Sequence, residues 1–236
     1  MVGMDAPDEL WTCRLGPVEY RAATALQEAL RAARQAGALP DLLLLLEHPA
    51  VYTRGRRSDQ SELPMGEAWY FGQGIDVVQS DRGGKLTYHG PGQLVGYPIM
   101  ATSDVVEFLR RMERAMIAAL ADAGVAAQMR EGLTGVWVGE RKIASIGVHV
   151  SRGITTHGFA VNVENDLQPF EWVVPCGLEG VRMTSVIRET GGGTGALPEF
   201  RERMAERFAE AHGRRAVRVS PAHLQSALGA AIPLLV

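Results

Sequence analysis

Residues 41–47 read Asp-Leu-Leu-Leu-Leu-Leu-Glu, five consecutive leucines bounded by acids. The run is far too short for a membrane-spanning helix, which needs about 20 apolar residues. It has the length of a strand, and an unbroken apolar strand has to be covered on both faces. A chain that holds one must place layers against both sides of a sheet, and 236 residues are enough to build that core. The rest of the pattern agrees. A strand is predicted at 8–15, then a helix opened by Pro17 and running to about Ala36, with Gly37 as its stop. Residues 53–74, rich in Gly, Arg and acids, read as a long loop, and 75–79 and 93–100 as strands flanking a glycine-rich turn. Asp104 can N-cap a helix that ends near Ala123, with Glu107 three residues on in a capping-box arrangement. Strands follow at about 125–130, 134–138, 142–151 and 154–164, with Gly139-Glu140 as a hairpin turn. Pro198 starts a late helix ending near Gly213, and a strand at 216–219 and a short helix complete the chain. Meandering strands interrupted by long helices make an α/β (α+β) protein with a mixed sheet. No repeat, low-complexity tract or linker divides residues 1–236, so a single domain is expected, with a helical and strand extension at about 197–236.

Composition removes several classes of function. A hydrophobic content of 46% with a net charge of only −3 excludes a disordered chain. It also leaves no excess positive charge for a general nucleic-acid binder. The start, MVGMDAPDEL, has acids where a signal peptide needs basic residues and an apolar stretch, so a cytoplasmic protein without a membrane segment is expected. Cys13 and Cys176 lie far apart, with no CxxC pair and no Cys/His spacing of a zinc site, so neither a disulfide nor a metal framework is expected.

Lysine usage is unusual. Of 24 basic residues, only Lys85 and Lys142 are lysines. Either codon bias has spared two by accident, or these positions need a flexible primary amine that arginine cannot supply.

Three segments concentrate chemistry. The first is Arg82-Gly83-Gly84-Lys85-Leu86-Thr87-Tyr88-His89-Gly90-Pro91-Gly92-Gln93. Leu86 after Gly84-Lys85 excludes a Walker phosphate loop. Glycines alone would mean two tight turns, but the polar and aromatic side chains crowded among them point to a binding loop. The second is Arg141-Lys142-Ile143-Ala144-Ser145-Ile146-Gly147-Val148-His149-Val150. Regular alternation puts Lys142 on the parity of Ala144, Ile146 and Val148, at the edge of an apolar stripe. Desolvation there would let the amine accept a proton, whereas a strand-end lysine would instead snorkel to water. The third is Val173-Val174-Pro175-Cys176-Gly177-Leu178, followed by Thr184-Ser185-Val186. Cys13, inside a strand, has the ordinary fate of a buried thiol. Cys176, between Pro and Gly, is presented from a turn, where a neighbouring base or cation would make it a nucleophile.

At these residues the chain resembles a family. RGGKLTYHGPGQLVGYP (82–98), RKIASIGV (141–148), HGFAVNV (157–163), VPCGL (174–178) and the following TSV closely resemble the octanoyl transferases of lipoate synthesis, the lipoyl(octanoyl) transferases. The likeness runs in order from about 41 to 187, and LLLEHPAVYTRGRR (44–57) shares it. The resemblance implies the α/β fold of biotin- and lipoate-protein ligase catalytic domains. It implies transfer of an octanoyl group from octanoyl-acyl carrier protein to a lysine of lipoyl domains, such as those of the E2 subunits of 2-oxoacid dehydrogenases and the H protein of glycine cleavage. It makes Cys176 the acyl-accepting nucleophile and Lys142 the residue that lowers its pKa. The acyl-binding stretches fall on Arg82, Gly83, Gly84, Lys85, Leu86, Thr87, Tyr88 and His89, on Ser145, Ile146 and Gly147, and on Gly158, Phe159 and Ala160.

Neither ATP nor metal is expected, the phosphopantetheine arriving on the carrier, and a monomer is expected. Gly83, Gly84, Gly147 and Gly158 would leave room for an acyl tunnel, and backbone N–H groups at Cys176 or Gly147 would serve an oxyanion. His89 and His149 are fallback bases, His89 as a pocket residue and His149 as a structural one. Arg54, Arg56 and Arg57 form the densest candidate patch for an acidic carrier, with Arg110, Arg111 and Arg114 as a second. The competing readings are an ATP-dependent lipoate or biotin ligase, which needs no cysteine, and a non-catalytic carrier-binding module, which needs neither the thiol nor Lys142.

Overall fold

The computed structural model describes residues 9–173 and 181–229. Strand β1 (Glu9–Pro17) leads into helix α1 (Tyr20–Gln35), then β2 (Leu42–Glu47), β3 (Val51–Arg54), α2 (Glu67–Gly72), β4 (Asp76–Gln79), β5 (Thr87–His89) and β6 (Gln93–Ile99). Helix α3 (Val105–Asp122) precedes β7 (Gln128–Arg130), β8 (Leu133–Val138), β9 (Arg141–Ser151) and β10 (Ile154–Asn162). The chain continues through α4 (Val186–Thr190), α5 (Leu197–Ala211), β11 (Arg215–Val219) and α6 (Pro221–Leu228).

Eight strands form one mixed sheet in the order β11-β1-β2-β6-β10-β9-β8-β7, and β4-β3-β5 form a second, small one. The leucine run is β2, parallel to β1 and antiparallel to β6. Its five leucines are all buried. Leu43 and Leu45 enter the core shared with α3 and α5, while Leu42, Leu44 and Leu46 enter the core shared with α1. Period-two alternation with both faces covered is what an uninterrupted apolar strand requires. No helix among the described residues is long and apolar enough to cross a membrane.

Several local expectations need correction. Pro17 closes β1 instead of opening the helix, because the strand still pairs there with Glu47. Helix α1 starts at Tyr20, where the Glu19 carboxylate accepts the Ala22 N–H at 2.9 Å. Asp104 caps α3 as expected, accepting the Glu107 N–H at 3.0 Å, but the Glu107 carboxylate turns to Arg111 and Arg114 and leaves the box half-made. The stretch 53–74 is more than a loop: it carries the end of β3, a 3-10 turn at Gln60–Glu62 and α2. The glycine-rich segment itself contains β5, and the strands on either side of it, β4 and β6, belong to different sheets. Strand β4 coincides with the strand expected at 75–79, but β3 and β5, of four and three residues, leave too little periodicity to be read locally.

Candidate active site

A cavity of about 250 Å3 lies between the α1-side face of the large sheet and the small sheet. Strand β5 divides the small sheet's side chains. Thr87 and His89 face the cavity, whereas Tyr88 points the other way into an aromatic cluster with Tyr52, Tyr70 and Phe170. Of the predicted acyl-binding residues, Arg82, Gly84, Lys85, Leu86, Thr87, His89, Ser145, Ile146, Gly147, Gly158, Phe159 and Ala160 line the cavity. Gly83 and Tyr88 do not.

Gly84, Gly147 and Gly158 line the cavity, and the last two serve a further purpose. A Cβ on Gly147 would sit 2.7 Å from the Gly83 carbonyl oxygen, and one on Gly158 would sit 2.1 Å from that of Gly96. They permit backbone to lie against backbone, and the Gly83 N–H donates to the Val148 carbonyl at 3.0 Å. That contact clamps the glycine-rich loop onto β9. Arg82 belongs to the same clamp: its guanidinium donates to the Thr53 hydroxyl and carbonyl and to the Gly83 carbonyl.

Lys142 reaches the cavity by a route that alternation does not anticipate. Between Val136↔Ala144 and Trp137↔Lys142, one step of β8 matches two steps of β9, a bulge at Ile143. Ile143 and Ala144 therefore both join the α3/α5 core, and Lys142 is turned off the apolar stripe onto the cavity wall beside Ser145 and Gly147. It is only 4% exposed. Its Nζ lies 5.5 Å from the Trp137 ring centroid. Its Cε packs where a Cβ on Gly135 would be, 2.8 Å away. The Lys142 N–H donates to the Arg182 carbonyl and its own carbonyl accepts the Thr184 N–H, both at 2.9 Å. Residues 182–184 thus run alongside Lys142 directly after the segment that holds Cys176. Cys176 itself lies outside the described residues. Cys13 is buried in the core, and burial raises its thiol pKa to about 11. An inert thiol follows.

The other lysine, Lys85, sits at the mouth, half-exposed, 3.4 Å from the Glu62 carboxylate. Arg57 also lines the mouth. Arg56 donates to His149 Nε2 at 3.1 Å, and Arg54 is paired with Glu67 at 2.7 Å. In the second candidate patch, Arg110, Arg111 and Arg114 are all paired with Glu107 or Glu113 of their own helix, which leaves it little charge to offer.

The buried end of the cavity is aromatic: Tyr20, His89, Tyr97 and His157 line it. Tyr20 is remote in the chain from the other cavity segments, whereas Tyr97 lies inside the motif 82–98 without having been singled out there. His157 lies within a quoted motif that could have signalled it. Hydrogen bonds fix each ring. Gln93 donates its amide to the Tyr88 carbonyl and to Asn162, so its oxygen accepts the His89 Nδ1–H at 2.8 Å. Burial pushes the His89 pKa well below the usual histidine value, and the ring is a neutral pocket residue, a poor base. His48 donates from Nδ1 to the Val18 carbonyl and accepts the Tyr97 hydroxyl at Nε2, each at 2.6 Å; burial lowers its pKa to about 4. His149, the other fallback base, donates to Asp81 at 2.5 Å. His157 bonds the second oxygen of Asp81 at 2.7 Å. Burial raises the Asp81 pKa, but the two histidines outweigh it and the net shift is downward.

The site is thus a cavity with a bulge-placed buried lysine in its wall, and comparisons place the fold that carries it. The family model "Lipoyl protein ligase A/B catalytic domain" matches residues 19–209, and the chain belongs to this family. Curated relatives include the octanoyltransferase of Mycobacterium avium (strain 104), 50% identical over 75% of this chain and 76% of its own length. The octanoyltransferase of Solibacter usitatus (strain Ellin6076) is 47% identical over 83% of this chain and 90% of its own. Among solved structures, lipoate-protein ligase A bound with ATP superposes with a TM-score of 0.73 at 20% identity, over 95% of this chain and 96% of that one. A bipartite lipoate protein ligase from Thermoplasma acidophilum gives 0.70 at 18% identity, over 95% and 94%. The mixed α/β fold expected from sequence is that of the lipoate-protein ligases.

Proposed function

We propose that this enzyme transfers an octanoyl group from octanoyl-acyl carrier protein to a lysine of a lipoyl domain, through a thioester on Cys176. One observation carries the reading: the buried amine of Lys142 stands in the wall of the acyl-sized cavity, and its backbone is paired with the chain that follows the Cys176 segment. The octanoyltransferase relatives support the same reaction.

The Cys176 thiol gives its proton to Lys142 Nζ, and the thiolate adds to the thioester carbonyl of the octanoyl-phosphopantetheine arm. The bond between acyl carbon and pantetheine sulfur breaks, and that sulfur leaves as a thiol, taking the proton back from Lys142. A neutral acceptor lysine then adds to the acyl-Cys176 carbonyl. The carbon–sulfur bond breaks, the amide forms, and Lys142 conveys the amine's proton to the Cys176 sulfur. The charge distribution within the thiol–amine couple belongs to the pair and not to either member. Thioester exchange is nearly balanced and amide formation runs downhill, so the mechanism calls for neither nucleotide nor metal. Splitting the transfer lets two protein partners use one site in turn. Arg57, at the mouth, and Arg56 beside it in sequence offer positive charge to an acidic carrier.

Intact-protein mass spectrometry after mixing with octanoyl-carrier, without nucleotide, tests the proposal. A single octanoyl adduct, labile to hydroxylamine and absent in Cys176→Ser, is expected. An unmodified wild-type enzyme, or transfer that starts only when ATP is added, overturns it.

A further inference from the structure

Among the described residues, Tyr20 is the one side chain that lines both the acyl cavity and a second cavity. The second, of about 550 Å3, opens to the surface between α1 and β4 and is lined also by Thr24, Val78, Ser80 and Asp81, with Arg21, Arg56 and Gln79 at its sides. The Tyr20 ring is the partition between them. It is 3% exposed. Its hydroxyl is 2.8 Å from Ser80 Oγ, and its ring contacts those of His48 and His89 at centroid distances of 5.2 and 6.1 Å. Elsewhere the end wall is backed by packed protein: His48 stands behind Tyr97 and Gln93 behind His89. Behind His157 stands Asp81, which lines the second cavity, and Tyr20 is the ring of the end wall that faces both cavities.

We infer that Tyr20 sets the longest acyl chain this enzyme accepts, its ring closing the cavity so that removing it joins the acyl cavity to the one between α1 and β4. The inference rests on the acyl-transfer reading above. A methylene that finds apolar surroundings favours binding about fourfold, so a chain that fills the cavity gains with each carbon until it meets the wall. Beyond that point each carbon has to displace a ring held by a hydrogen bond and two aromatic neighbours. With the ring gone, the tail of a longer chain passes into the second cavity.

Hexanoyl-, octanoyl-, dodecanoyl- and tetradecanoyl-carrier thioesters competing for the full-length enzyme, read by the mass of the acyl-enzyme and of the acylated lipoyl domain, test this. Tyr20→Ala and Tyr20→Leu are expected to raise the dodecanoyl-to-octanoyl ratio of kcat/KM at least about tenfold, the gain of two or more buried methylenes. Tyr20→Phe, which keeps the ring, is expected to keep the wild-type order of chain lengths. Folded Ala and Leu variants with the wild-type ratio overturn the inference. Should both fail to fold, Tyr20→Trp, which thickens the wall, must move the preference toward hexanoyl, and an unmoved preference overturns it equally. A wild type that accepts no acyl group from any carrier thioester sinks the transferase reading instead. A wild type that is acylated, with variants of unaltered preference, sinks only the assignment of Tyr20.

Discussion

Replacing Gly135 by alanine tests whether the position of the Lys142 amine is what the site depends on. The added Cβ would lie 2.6 Å from the Ala144 carbonyl oxygen, 2.8 Å from Lys142 Cε and 3.4 Å from Nζ. The carbonyl belongs to the β8–β9 ladder and cannot retreat, so the lysine must. Gly135 also has φ +122°, a conformation that alanine adopts only under strain of about 1–3 kcal/mol. It is pinned there, because its N–H donates to Glu113 Oε1 at 3.0 Å, and that fully buried carboxylate is held in turn by Arg110 at 2.6 Å. Strain and overpacking together come to about 3 kcal/mol. For a chain of this size that corresponds to a fall in Tm of about 6–12 °C. A shift of the amine by about 1 Å slows the chemistry about a hundredfold. Rapid-quench mass spectrometry of acyl-Cys176 formation, alongside thermal unfolding, measures both. Gly139→Ala, in the adjacent turn at φ +56° with open space around it, controls for backbone strain and should leave the acylation rate intact. If Gly135→Ala matched the wild type in both rate and Tm, the geometric argument for Lys142 would fail.

Lys142→Arg is expected to reduce acyl transfer by about 10²–10⁴-fold despite keeping a cation, because a guanidinium does not give up its proton near neutrality; near-normal turnover refutes the proton-acceptor role. Charge reversal at Arg56 and Arg57 should raise the KM for the carrier about tenfold at low salt and flatten its salt dependence, and an unchanged KM removes that landing site. The histidines make the protein acid-sensitive. Burial lowers the pKa of His48 and of His212 to about 4, below the ordinary 6.5, so the unfolded chain binds more protons than the fold between those values. Stability is therefore complete above about pH 6.5 and declines as pH falls toward 4, by up to about 3 kcal/mol for each group. Urea unfolding at several pH values should show this loss, and His212→Gln should make it shallower; an acid limb unaltered by that substitution refutes the assignment.

Much of this protein was legible in its sequence because the signals are local. The leucine run announces a strand covered on both faces. Asp104 announces the start of α3, and the ordered motifs from 82 to 163 announce most of the cavity wall. Each depends on residues within a turn or a strand of one another, where sterics, capping and period-two burial act directly. Of the small sheet only β4 was legible, as the strand expected at 75–79; β3 and β5, of four and three residues, are specified by partners across the chain. The orientation of Lys142 was not legible either. Strict alternation puts it on the α3/α5 side, and one extra residue at Ile143 puts it in the cavity. A bulge is a property of the pairing between two strands, which neither strand records alone. The aromatic end of the cavity is likewise assembled from α1, β5, β6 and β10; His89, Tyr97 and His157 sit within the ordered motifs, but Tyr20, far from them in the chain, carries no mark of its neighbours. The sequence by itself determined which chemical groups the enzyme owns and the layers that enclose them. The tertiary structure decided which way those groups face and where the cavity stops, because both depend on contacts between segments that only folding brings together.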